Sequence, residues 1–143
     1  MIKTREQMRM QATWDALITK FGDSDSWSNG KNKAQAKSYL TAVKKTPARI
    51  HTAGLGQALA FLKSRGNQEA KDACADLSRI TLSILGQNEH DLLASIRKGD
   101  SAFLFLATDE AIAVCGWLAR FLAGAGVTAE DDSARESEEG SGK

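Results

Sequence analysis

The chain reads as an all-α protein, a compact bundle of about six helices with a disordered acidic C-terminal tail. Three observations predict it. There is one proline in 143 residues. Ala, Leu, Lys, Glu and Gln outnumber β-branched residues, which favours helix over sheet. Apolar residues recur at three- and four-residue spacing in segment after segment. A chain of this length removes roughly two thirds of its unfolded surface from water on folding, enough for one core. We expect one helical domain over residues 1–126 and a tail over 127–143.

The first helix is expected from Thr4 to Phe21, where Met10, Trp14, Leu17, Ile18 and Phe21 keep helical spacing and Gly22 supplies a stop. "DSDSWSNGK" follows as a polar loop. A second helix over Asn32 to Lys45 places Ala36, Tyr39, Leu40 and Val43 on one face. It is expected to end before Pro47, because the residue ahead of a proline disfavours helical geometry. Thr46 then serves as N-cap and Pro47 as first residue of a third helix that runs to Gly66. Within it Gly54 shares an apolar stripe with Ile50, Ala58 and Phe61, which predicts close packing at Gly54, with Gly116 as a candidate partner.

"NQEAKDACADLSRITLSILG" supplies a fourth helix with Ala73, Leu77, Ile80 and Ile84 inward. A shorter fifth helix is expected from Asn88, buries Leu92, Leu93 and Ile96, and stops at Gly99. The last begins near Thr108, with Asp109 and Glu110 in its positive first turn. "AIAVCGWLARFLAGAG" is apolar on nearly every side, so this helix should be central. After Gly126, "VTAEDDSARESEEGSGK" is polar, acidic and small.

The formal net charge of +1 conceals a segregation along the chain. Residues 1–50 hold ten Lys and Arg against four Asp and Glu. Residues 51–125 are nearly balanced at seven against eight, and residues 126–143 hold two against six. The basic character therefore belongs to the N-terminal third.

Several function classes find no support. "MIKTREQMRM" has no apolar leader core, and the longest apolar runs, "FLFLA" and "AIAVCGWLA", fall short of a span of about 20 residues. A soluble cytoplasmic protein with no membrane partner is expected. Cys74 and Cys115 lack metal-ligand or disulfide-framework spacing. His51 and His90 are isolated, no HxxxH or GxSxG is present, and "GLGQAL" lacks both the third glycine and the preceding strand of a dinucleotide loop. No enzyme, metal or cofactor is expected.

Charge and geometry converge on the second helix. At about 100° per residue, Lys33, Lys37 and Lys44 form one ridge about a right angle from the apolar face. With Lys31, Lys45 and Arg49 nearby, that ridge could follow RNA phosphates without reading bases. Arg5, Arg9 and Lys20 on the first helix and Arg120 on the last are further candidates for RNA or interface contact. Trp27, in the polar loop, could stack on a base, fold back over the bundle or anchor a protein interface, and the protein contact is the preferred reading.

The stretch "AKSYLTAVKKTPARIHTAGLGQALAFLKS" together with "TDEAIAVCGWLARFLAGA" resembles the small helical subunit of the type III-B CRISPR-Cas Cmr effector complex, over about residues 32–126. The matching features are Tyr39, Pro47, Ile50, Gly54-Leu55-Gly56, Ala60-Phe61, and Trp117, Leu118, Arg120 and Phe121. The resemblance implies a helical bundle without catalytic residues, repeated along an RNA-targeting ribonucleoprotein of antiviral defence. Implied partners are guide RNA, complementary target RNA, other Cmr subunits including the repeated backbone subunit, and copies of itself. The alternative is a helical adaptor that touches protein alone. The 23–30 loop and the tail lie outside the resemblance.

Overall fold

In a computed structural model the protein is described over residues 2–129. Six α-helices follow one another: α1 Arg5–Phe21, α2 Lys33–Ala53, α3 Leu55–Ser64, α4 Gln68–Ile84, α5 Leu92–Lys98 and α6 Ser101–Gly124. Two single 3-10 turns, Ser24–Ser26 and Gly30–Asn32, join α1 to α2, and no strand occurs among the described residues. The all-α expectation holds. Of the expected tail, Val127 and Ala129 are buried against the bundle, and residues 130–143 lie outside the described residues.

The termini of α1 and α4 follow from local chemistry. Thr4 and Gln7 form a reciprocal capping box at the start of α1. The Asn67 side chain accepts from the Ala70 amide at 2.7 Å to start α4. On α1, Ala16, Leu17 and Phe21 point inward, and on α4 Ala73, Cys74, Leu77 and Ile80 do.

The proline does not separate two helices. Pro47 sits inside α2, which continues unbroken to Ala53. An interior proline costs roughly 3 kcal/mol through its missing N–H and its clash with the preceding turn. Burial outweighs that cost. Tyr39, Leu40 and Val43 before it and Ile50 after it are almost fully buried, and each is worth about 1.5–3 kcal/mol. Thr46, expected as an N-cap, is instead buried within α2, and its hydroxyl donates to the Ala42 carbonyl at 2.8 Å.

The break falls at Gly54, whose backbone takes φ 94° and ψ 160°. That conformation is essentially restricted to glycine. The close-packing expectation fails at both of its glycines, since a Cβ at Gly54 or at Gly116 would meet nothing within 4 Å. Gly54 is used for its backbone freedom.

The last helix starts seven residues earlier than expected. Asp100 caps it by accepting from the Phe103 amide at 2.9 Å, so Asp109 and Glu110 lie mid-helix. α6 thereby joins the two apolar runs into 24 residues, long and apolar enough by length and composition alone to cross a membrane. In this fold it packs against α1, α2 and α4 instead. The fifth helix likewise begins at Leu92, capped by Asp91 rather than Asn88.

α2 lies against α3, α4 and α6, and its inward stripe holds the centre of the core. Tyr39 meets Phe21 edge-on, with ring centroids 5.6 Å apart. About two turns back along α1, Trp14 packs on Trp27 and on Phe121 at 5.4 and 5.2 Å.

Candidate nucleic-acid interface

The outward side of α2 is where the basic candidates gather. Lys31 is exposed in the 3-10 turn that leads into the helix, and Lys33, its first residue, is exposed as well. Lys37 is half-buried and Lys44 is exposed. The 100° rotation per residue places Lys33, Lys37 and Lys44 within a sector of about 40°, and the helical rise spreads them over roughly 16 Å. Because α2 runs on past Pro47, exposed His51 continues the same line. Lys31, Lys33 and Lys37 pair with no carboxylate among the described residues.

Lys45 and Arg49 belong to a different flank of the same helix, rotated by about 120° from the ridge. They border a narrow cleft between α2 and the α3–α4 junction, whose lining includes Ser38, Thr41, Arg65 and Asn67. The Arg49 guanidinium stacks over the Phe61 ring at 3.7 Å, and that of Arg65 lies 5.5 Å from the same ring. Such a stack immobilises Arg49 while leaving its N–H edge available to an oxyanion. The single patch expected from the sequence is thus two basic flanks separated by an exposed crest of Ala34, Ala48 and Thr52.

Phe61 and Arg65 are contributors to this surface that the sequence reading did not assign to it. Their four-residue spacing at the end of α3 was the available signal. Nothing in the sequence joined them to Arg49 on another helix.

The first-helix candidates are engaged inside the molecule. Arg9 grips the carboxylate of Glu110 on α6 through two nitrogens, with Nη2 donating to Oε1 at 2.9 Å, and Arg5 approaches the same carboxylate at 3.7 Å. Glu110 is only 1% exposed; its hydrogen bond to Arg9 raises that guanidinium's pKa, against the lowering effect of burial. Lys20 lies 3.5 Å from Asp76 and 3.9 Å from Asp72 on α4. Asp76 also accepts from the buried Tyr39 hydroxyl at 2.8 Å, and burial first, then Asp76, pushes the Tyr39 pKa well above that of an ordinary phenol. The facing carboxylates on α6 and α4 explain why Arg9 and Lys20 turn inward.

Trp27 is the clearest correction. It is fully buried, packed on Trp14, with its indole N–H donating to the Gly22 carbonyl at 2.8 Å. No face of the ring is open to a base or to a protein partner. The polar residues around it form the turn that folds it back: the Asp23 side chain accepts from the Asp25 amide, and the Ser26 hydroxyl donates to the Asp23 carbonyl. Arg120, by contrast, is exposed on α6 and has no ion pair among the described residues.

Cys74 and Cys115 are both buried. Burial drives the Cys115 thiol up to about 12 and raises that of Cys74. No group of three or more His, Cys, Asp or Glu side chains able to hold a metal occurs among the described residues.

Fold and surface together define a small all-helical bundle in which one long helix, α2, carries five Lys and Arg and no Asp or Glu. The model of one family, a CRISPR-associated protein (Cas_Cmr5), matches residues 5–125. The chain belongs to the CRISPR-associated Cmr5 family. Its fold is similar to the X-ray crystal structure of a CRISPR-associated Cmr5 family protein from Thermus thermophilus, with a TM-score of 0.62 and 25% sequence identity over 86% of this chain and 97% of that one. A search of curated proteins gives no match. The chain is accordingly a small-subunit protein of the type III-B Cmr system, which implies association with other Cmr subunits.

Proposed function

We propose that the protein is a non-catalytic cytoplasmic subunit that helps hold guide and target RNA within a Cmr ribonucleoprotein, through the α2 ridge of Lys33, Lys37 and Lys44. Family membership supplies the complex. The observation that carries the surface is the alignment of these lysines along one helix, about 16 Å of positive edge that suits a run of phosphates. Lys31 at the helix entry extends the ridge, and Lys45 and Arg49 present a second positive flank beside it. One subunit of this kind binds weakly, since a few phosphate contacts supply little affinity at physiological salt. Linked to RNA held elsewhere in a complex, the same contacts gain from effective concentration.

The test is reconstitution of the Cmr complex with Lys33→Glu, Lys37→Glu and Lys44→Glu combined. Target RNA capture should fall at least tenfold, and the salt dependence of binding should become shallower. Capture at the wild-type level would remove the ridge from the RNA path. Photo-crosslinkers placed at Ala34 and Ala48 should attach to RNA; crosslinks to protein alone would identify the chain as an adaptor.

A further inference from the structure

The last described residues lie beside the loop that leads into α2. Gly126, at φ 94°, packs against Ser28, whose Oγ a Cβ on that glycine would meet at 3.2 Å, and Val127 and Ala129 are buried against the bundle. Ser28 stands between two turns of opposite charge, Ser24–Ser26 with Asp23 and Asp25, and Gly30–Asn32 with Lys31. From the second turn α2 sets out with no acidic residue in its first turn and no side-chain cap, because the Asn32 amide donates instead to the Phe21 carbonyl at 2.8 Å. Its positive end therefore adds to the charge of Lys31 and Lys33, which, like Lys37, meet no carboxylate among the described residues. The sequence that follows Ala129 is of the opposite sign: residues 130–143 hold Glu130, Asp131, Asp132, Glu136, Glu138 and Glu139 against Arg135 and Lys143.

We infer that this acidic segment docks in cis along α2, with Glu130, Asp131 and Asp132 toward Lys31 and Lys33 and with Glu136, Glu138 and Glu139 toward Lys37 and Lys44, and that it covers the ridge until RNA displaces it. The displacement rests on the RNA reading of the ridge; the docking does not. Reach permits the contact. Lys33 is five residues from Ser28, at most about 18 Å away, and residues 127–143 extend about three times as far. The two acidic groups are centred about seven residues apart, a span of up to about 23 Å when extended, which exceeds the roughly 16 Å between Lys33 and Lys44. Charge sets the direction. Asp23 and Asp25 repel the segment from the turn on one side of Ser28, and Lys31 draws it to the other. Exposed ion pairs are individually weak, but tethering holds these carboxylates near the lysines at an effective concentration on the order of millimolar.

A carbodiimide, which condenses neighbouring carboxylates and amines, should link the acidic segment to Lys31, Lys33 or Lys37 of the full chain within the 15.4 kDa monomer. Peptide mass spectrometry should find these links in about 10 mM salt and not in about 1 M, where the screening length falls from about 30 Å to about 3 Å. Lys63 and Asp91, 3.3 Å apart, should link at low salt in every variant and provide the internal standard. Neutralising the segment in the full chain, with Glu130→Gln, Asp131→Asn, Asp132→Asn, Glu136→Gln, Glu138→Gln and Glu139→Gln together, should tighten the binding of a single-stranded oligouridylate at least threefold at low salt. The gain should vanish when Lys33→Glu, Lys37→Glu and Lys44→Glu are added. A wild-type chain with no link from the segment to α2 overturns the proposal. So do links confined to a dimer band, which would place the segment on another copy, and an equal gain with the ridge reversed, which would be an effect of net charge alone. Links without any gain in RNA affinity keep the docked segment and remove the ridge from the RNA path, so the two readings fail separately.

Discussion

Helices α1 and α2 share the basic third of the sequence, yet they use their cations differently. Arg9 and Lys20 on α1 face carboxylates on α6 and α4, and their charge is neutralised within the bundle. Lys33 and Lys37 on α2 meet no carboxylate among the described residues. Residue type is the same in kind, and what differs is the acid on the neighbouring helix. A local charge count therefore cannot tell a structural cation from a surface one, and only the facing element can.

That contrast can be broken most forcefully at Arg9. Arg9→Met leaves Glu110 buried with only Arg5 nearby, and should cost about 3 kcal/mol in chemical denaturation. Combining it with Glu110→Leu should recover most of the loss, since a buried pair replaced as a whole by apolar side chains is often neutral or better. A single variant as stable as wild type would show that the pair contributes nothing.

Alkaline pH probes the interior next to the Lys20 cluster. Cys115 keeps its proton up to about 12 in the folded chain but loses it near 9 when unfolded. The folded state thus binds more protons between those values, and stability falls as pH rises through that window, by about 2 kcal/mol at pH 10.5. Tyr39, also raised, adds a loss of the same sign above pH 10. Cys115→Ala should remove the part that begins near pH 9; an unchanged pH profile would contradict the burial assigned to it.

Smaller effects sharpen the other side of the comparison. Lys20→Met should cost at most about 1 kcal/mol, as befits a partly solvated pair, and the cost should shrink in high salt. Lys33→Met and Lys37→Met should each change stability by no more than about 0.5 kcal/mol while weakening RNA capture. A thermal midpoint that drops by several degrees in either would give that lysine a structural role.

Much of this fold was legible. The periodicity of α1 and α4 and the apolar stripe of α2 follow from local rules, and the structure keeps them. The failures share a cause. Pro47 marks a helix start by local preference, but the buried stripe from Tyr39 to Ile50 runs through it, and burial exceeds propensity. The start of α6 was misplaced because Asp109 and Glu110 resemble a first turn, although Glu110 is there to receive Arg9, about 100 residues away in sequence. Trp27 lies among polar neighbours, which favours an outward protein contact over folding back, and nothing local names Trp14 as the ring it closes over. In the candidate interface the lysine ridge was legible because its members sit on one helix. The Arg49–Phe61 stack joins two helices and was not.

The turn at Gly54 has a stereochemical consequence. Its φ of 94° and ψ of 160° mirror an ordinary extended conformation, so the site disfavours one hand of amino acid and accepts the other. With open space around it, an L-alanine there would carry backbone strain of about 1–3 kcal/mol and no steric clash. A D-alanine introduced by chemical synthesis would escape the strain, narrow the unfolded ensemble and make the chain more stable than the natural one.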